Sequence, residues 1–216
     1  MREVGKGVFQ LDSPGRTVNV FLVQAEVPVL IDAGTPRQGP AIVDELRGAG
    51  ITPELILLTH ADFDHAGGAE AVRAATGAPI CAPAAERPLL TGTRRRSSFV
   101  RLLIRAANRG REPRLPSIDR WVEEGEMVAG LRAVATPGHT PGHTSYVHGT
   151  TLLAGDAVIT GERFRESVRM FNVDTAVARR SIAKLAGLDV DLAVSGHGPP
   201  ARGAREKLAA LAARWR

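Results

Sequence analysis

The chain has 216 residues, enough for one domain with a sizeable core and short for two. Its 44% apolar and 24% charged residues exclude a disordered or membrane-embedded chain, and no apolar run is longer than a strand. Twenty-eight Lys and Arg against 23 Asp and Glu leave a formal charge of +5, too modest by itself to require a nucleic-acid partner.

One cysteine, Cys81, excludes an intrachain disulfide and is expected to be buried packing. The opening MREVGKGVFQLDS lacks an apolar signal core, so a cytoplasmic location without membrane contact is the expectation. Residues 1–50 alternate β-like runs with turns: VGKGVFQLD, TVNVFLVQAE and VPVLIDAG, an antiparallel meander. Asp32 ends the third run and is expected at a sheet edge, supporting functional groups from behind. GPAIVDELRGAG has helical apolar spacing and a closing glycine, and predicts a helix over one sheet face.

The stretch ELILLTHADFDHAGG follows. It sets His60, Asp62, Asp64 and His65 within six residues, directly behind an apolar strand-like run. Imidazole nitrogen with carboxylate oxygen is a donor set for Zn, Fe or Mn, more than for Ca or Mg. AEAVRAATG then predicts a helix ending at Gly77, and APICAP a short strand. Residues 84–116 break this rhythm with an arginine-rich stretch, read as an insertion on a single domain spanning 1–216. Arg95 and Arg96 within it are candidate contacts for an anionic substrate.

From Arg120 the β-like runs resume, and several end in ligand-type residues. LRAVATPG leads to His139, TTLLAG to Asp156 and DLAVSG to His197, the pattern of an α/β sheet that builds its site at strand ends. His143 repeats the Pro-Gly-His pattern and is expected to support the site without binding metal, whereas His148 has no such context and is expected at the surface. The closing ARGAREKLAALAARWR predicts an amphipathic helix packed on a sheet.

The series LIDAG, THADFDHAGG, TPGHTPGHTSY, AGDAV and SGHGPP resembles the metallo-β-lactamase superfamily, in that order and over almost the whole chain. The resemblance implies a four-layer αββα sandwich, an α/β (α+β) fold with a binuclear metal site between its sheets. It further implies that His60, Asp62 and His139 hold one ion, that Asp64, His65 and His197 hold the other, and that Asp156 bridges them. Asp62 departs from the commoner histidine. Two divalent ions balanced by three carboxylates and a hydroxide make a neutral centre, which lowers Lewis acidity and shifts preference from zinc toward iron or manganese.

The resulting expectation is a zinc-dependent hydrolase of a small ester, thioester or lactone. A metal-bridging hydroxide would attack the carbonyl carbon while Asp64 orients it and carries a proton to the leaving group. Two alternatives stand beside it. Asp62 is also compatible with an iron-dependent oxidoreductase of the persulfide dioxygenase or flavodiiron type. The arginine-rich stretch is compatible with a weak nuclease or nucleic-acid-binding protein, which steep salt dependence would reveal.

Overall fold

The computed structural model describes residues 1–13, 15, 18–95, 106 and 114–215. Strands β1 (Arg2–Gly5), β2 (Val8–Gln10), β3 (Phe21–Gln24) and β4 (Pro28–Ile31) form the expected antiparallel meander. The run VGKGVFQLD is a hairpin and not one strand, because Gly7 takes φ of 68°, a left-handed turn that favours glycine. Strands β5 (Leu55–Leu57), β6 (Ile80–Pro83) and β7 (Arg120–Val122) then join in parallel, completing a seven-stranded sheet.

A second sheet takes its strands from the latter half: β8 (Met127–Val128), β9 (Leu131–Ala135), β10 (Thr144–His148) and β11 (Thr151–Leu153). The short hairpin of β12 (Val158–Ile159) and β13 (Arg165–Glu166) intervenes before β14 (Leu192–Val194) and β15 (Ala201–Arg202) complete it, in the order β15-β14-β11-β10-β9-β8.

Strands that are apolar at every position are buried on both faces, and this layering follows from the pleat. Phe21, Val23, Val29, Ile31, Leu55 and Leu57 point inward to meet Leu131, Tyr146, Leu153 and Val194 of the opposite sheet. Their alternating neighbours Leu22, Leu30 and Ile56 point outward and are covered by Ile42 and Leu46 of the Gly39–Gly48 helix and Val72 of the Ala69–Thr76 helix. Leu152 and Ala193 on the far sheet pack against Ile182 and Leu185 of the Thr175–Leu185 helix and Leu208 and Leu211 of the Ala204–Ala212 helix. Three apolar cores therefore separate four layers, the αββα sandwich. Cys81 lies in the central core, as expected of packing. No helix among the described residues is long and apolar enough to cross a membrane.

Strand direction gathers the functional residues at one edge. Strands β4 and β5 are parallel, with Ile31 beside Leu57, so Asp32 and the loop from Thr59 emerge together. On the other sheet, β10 runs antiparallel to both β9 and β11, and β11 is parallel to β14. Strands β9, β11 and β14 thus share one direction, and their ends deliver His139, Asp156 and His197 to a common edge.

The stretch 84–116 is anchored at its start and its end. A 3-10 turn (Ala84–Glu86) and a short helix (Arg87–Leu90) set Leu89 and Leu90 into the first core, and Leu115 packs against the same core.

Hydrogen bonds lock the two sheets together beside that edge. The Tyr146 hydroxyl, fully buried on β10, donates to the Leu58 carbonyl at 2.9 Å, and the Thr144 amide donates to Thr59 at 3.0 Å. Tyr146→Phe keeps the ring and leaves the Leu58 carbonyl without this donor, so unfolding stability should fall by about 1–3 kcal/mol. Urea denaturation checks this, and an unchanged midpoint would show that the bond contributes nothing.

Candidate metal centre

Residues from five separate segments meet at the shared edge. His60 and His65 are fully buried, and their ring centroids lie 4.1 Å apart. His60 is also 5.0 Å, centroid to centroid, from His139. Asp62 Oδ2 lies 3.2 Å from His139 Nε2 and 3.7 Å from His60 Nε2. Asp156 reaches three imidazoles: Oδ1 is 3.4 Å from His65 Nε2, while Oδ2 is 3.6 Å from His139 Nε2 and 3.4 Å from His197 Nε2. Asp64 stands 3.6 Å from His197 Nε2 and 4.0 Å from His65 Nε2. Among the described residues, donor atoms within 4.8 Å of one another form three sets: His60, Asp62 and His139; His60, His65 and Asp156; and Asp64, His65 and His197.

Behind these atoms a hydrogen-bond network decides which ring nitrogen faces the cleft. The Asp32 carboxylate accepts from the Thr59 amide, the Thr59 hydroxyl and His65 Nδ1, all at 2.8 Å. Because the Thr59 hydroxyl is committed to Asp32, its oxygen can accept from His60 Nδ1 at 2.9 Å. In the neutral rings both Nδ1 atoms carry the proton, so that both Nε2 lone pairs face the cluster. Asp32 adopts φ of 60°, a conformation that Asp tolerates better than most residues.

His143 is occupied elsewhere. Its Nε2 accepts from the Asp156 amide at 2.8 Å and its Nδ1 meets the Thr136 hydroxyl at 2.7 Å. Burial pushes its pKa down to about 3, in keeping with a neutral ring that fixes the backbone carrying Asp156. His148 is half-buried and meets the Gly130 carbonyl at 3.2 Å, away from this cluster.

The residues suit cations on three physical counts. Neither His65 Nε2 nor Asp156 Oδ1 has a hydrogen bond, although both atoms are buried. Burial alone would lower the His65 and His197 pKa values, yet carboxylates override it. Asp156 and Asp32 raise His65 well above its usual value, and Asp156 and Asp64 bring His197 up to about 10. Burial correspondingly works to raise Asp156, but His65, His197 and His139 hold it below the ordinary carboxylate range. The cluster thus concentrates negative charge that a cation would balance. Finally, a Cβ on Gly196 would lie 2.3 Å from Asp156 Oδ1 and 2.4 Å from the His65 ring, so only glycine lets this backbone border the cluster.

Four supporting residues had no signal in the sequence. Asn172 and Ser167 each place an oxygen 3.3 Å from His139 Nδ1, and they come from a loop without a strand-end motif. Asn19 donates to the Ser195 and Gly198 carbonyls at 2.9 and 2.7 Å, holding the turn that carries His197. Glu86, inside the stretch read as an insertion, is fully buried and accepts from Ala61 and Gly142. Of the expected substrate contacts, Arg95 is exposed and Arg96 lies outside the described residues.

Comparison with known proteins gives the family. The family model described as the metallo-beta-lactamase superfamily matches residues 13–197. A probable metallo-hydrolase of Bacillus subtilis (strain 168), YflN, is 33% identical, covering 93% of this chain and 87% of the relative. An N-acyl homoserine lactonase of Bacillus cereus is 28% identical over 80% of this chain and 78% of its own. Among solved structures, TTHA1623 in a di-iron-bound form superposes with a TM-score of 0.73 at 28% identity, covering 92% of this chain and 96% of that one. The BLEG-1 B3 metallo-beta-lactamase gives 0.71 at 26% identity, with 92% and 95% covered.

Replacing Asp32 by Ala removes the acceptor that orients His65 and, through Thr59, His60. Zinc affinity should fall roughly 10–100-fold while far-UV circular dichroism keeps its form. Chelator competition on the two proteins checks this, and equal affinities would remove Asp32 from any part in binding.

Proposed function

The chain belongs to the metallo-beta-lactamase superfamily and is a metallo-hydrolase, and from that premise we propose that it opens a small lactone, ester or thioester with two divalent cations. His60, Asp62 and His139 would hold one, Asp64, His65 and His197 the other, and Asp156 would span both. The position of Asp156, within 3.4–3.6 Å of three imidazole nitrogens from three segments, carries this reading. The similarity to N-acyl homoserine lactonases supports a cyclic ester as the first substrate to try.

When bound, the cations supply Lewis acidity toward a carbonyl oxygen and lower the pKa of water. The protein's own groups supply orientation and proton handling. Asp64 is the more exposed carboxylate of the cluster, with 27% of its side chain accessible, and we assign it to orient the attacking water and pass a proton to the departing oxygen or sulfur. His143 keeps the Asp156 backbone in place through its bond to the amide. An anionic group on the substrate is the proposed partner of Arg95 and Arg96.

Zinc is the proposed ion, with iron or manganese as competitors because Asp62 adds a carboxylate beside His139. That same contact favours a second reading, an iron-dependent oxidoreductase, and the structural relative TTHA1623 was solved with two irons. Elemental analysis with a visible absorption spectrum separates the two. Colourless zinc-loaded protein that hydrolyses lactones supports the first, and an iron chromophore with oxygen consumption supports the second.

Chelation should abolish hydrolysis across a panel of lactones, esters and thioesters, and restoring the metal should recover it. Asp156→Ala, reloaded under the same conditions, should lose more turnover than the roughly 10–100-fold typical of a contact behind a ligand. Turnover equal to that of the parent would overturn the assignment of Asp156.

A further inference from the structure

Glu86 is a carboxylate with no access to solvent, placed where the sequence suggests only the start of an insertion. Its two oxygens do different things. Oε2 accepts from the Ala61 amide at 2.8 Å, and Oε1 accepts from the Gly142 amide at 2.7 Å. Ala61 lies between His60 and Asp62 in the loop that follows β5 of the seven-stranded sheet. Gly142 belongs to the loop between β9 and β10 of the six-stranded sheet, three residues beyond His139. One side chain therefore joins two loops from opposite sheets, each carrying part of the His60, Asp62 and His139 set.

The contact is fitted from both sides. A Cβ on Gly142 would lie 2.3 Å from the Ala85 carbonyl carbon and 2.4 Å from the Glu86 amide nitrogen, so glycine at 142 lets the loop rest on the 3-10 turn that presents Glu86. Leu89 and Leu90 anchor the following helix in the first core and fix where Glu86 can reach. A buried carboxylate needs donors to offset its desolvation, and these two amides, with the Thr140 side chain of the same loop as Gly142, supply them only while both loops stay in register.

We infer that Glu86 is a positioning residue that sets the spacing of one of the two cation positions, the one framed by His60, Asp62 and His139, and leaves the other alone. The inference rests on the proposed use of these residues as metal ligands. The second set, Asp64, His65 and His197, has a support of its own in Asn19, on the turn that bears His197, whereas Asp32 serves both sets through His65 and, by way of Thr59, His60. Each position thus has one support that the other lacks, and the two should be separable by substitution at Glu86 and at Asn19.

The test is titration of the metal-free full chain with cobalt(II) ion alone, followed by visible absorption and chelator competition. The parent should take up two equivalents. Glu86→Gln is close to isosteric but turns an amide nitrogen toward one of the two N–H groups. It should bind one equivalent with parental affinity and the second roughly 10–100-fold more weakly. Gly142→Ala, which pushes on the same contact from the other loop and keeps the carboxylate, should weaken the same equivalent. Asn19→Ala should weaken the opposite one, giving a different residual cobalt spectrum. Equal weakening of both equivalents in the Glu86 and Gly142 variants would overturn the inference. So would unchanged binding of both with only a lower melting temperature. A parent chain that binds no cobalt would instead sink the metal-centre reading itself, which separates that failure from this one.

Discussion

The Asp32 carboxylate is the interaction on which the geometry of the centre depends. It sits at the end of β4, nearly excluded from solvent, and a charge so placed needs donors. Three supply them: the Thr59 amide, the Thr59 hydroxyl and His65 Nδ1. Satisfying Asp32 simultaneously fixes the loop after β5, the ring of His65 and, through the shared hydroxyl, the ring of His60. One buried carboxylate thereby turns two imidazoles so that their Nε2 atoms face the same space. The left-handed backbone at Asp32 is offset by these bonds.

Around that anchor the two sheets approach more closely than ordinary side chains allow. Gly155, with φ of 53°, would place a Cβ 3.0 Å from Thr59 Cβ of the opposite sheet's loop and 2.6 Å from His143 Nε2, so glycine there leaves room for that loop and for the ring that holds the Asp156 amide. Gly196 plays the corresponding part beside Asp156 and His65. Packing of the central core sets the separation of the sheets, and bonds such as Tyr146 to Leu58 tie them within two residues of His60. A rigid scaffold of this kind holds the ligand-type atoms in place before any ion arrives, which reduces the cost of binding one.

The chemistry turns on how charge is distributed over this frame. Asp156 faces both His65 and His197, joined by Asp32 at the first and Asp64 at both, and the upward shifts of the two rings are the direct consequence. Asp62 adds a further carboxylate, in contact with His139. In the proposed hydrolase, one more carboxylate would withdraw less electron density from a bound carbonyl, which is the physical ground for proposing an activated substrate such as a lactone or a thioester before an unactivated amide. The same carboxylate would favour harder ions, so in the proposed centre metal identity and reaction type are connected.

Much of this was readable from the chain alone. Strand-length apolar runs ending in His, Asp and Gly identified the strands and the edge where their ends meet, because a pleated strand buried on both faces is apolar at successive positions, whereas the four layers were implied only by the resemblance of the motif series. The residues His60, Asp62, Asp64, His65, His139, Asp156 and His197 stood out because polar, metal-suited side chains cluster directly after such runs. The supports were not readable. Glu86, Asn19, Ser167 and Asn172 act across 25 to 179 positions of sequence, through hydrogen bonds to backbone or ring atoms of distant loops. Such partners have no local periodicity or spacing, so only the tertiary structure decided them. Local sequence determines which side chains leave a strand end, whereas the packing of one sheet on another determines which distant group meets them there.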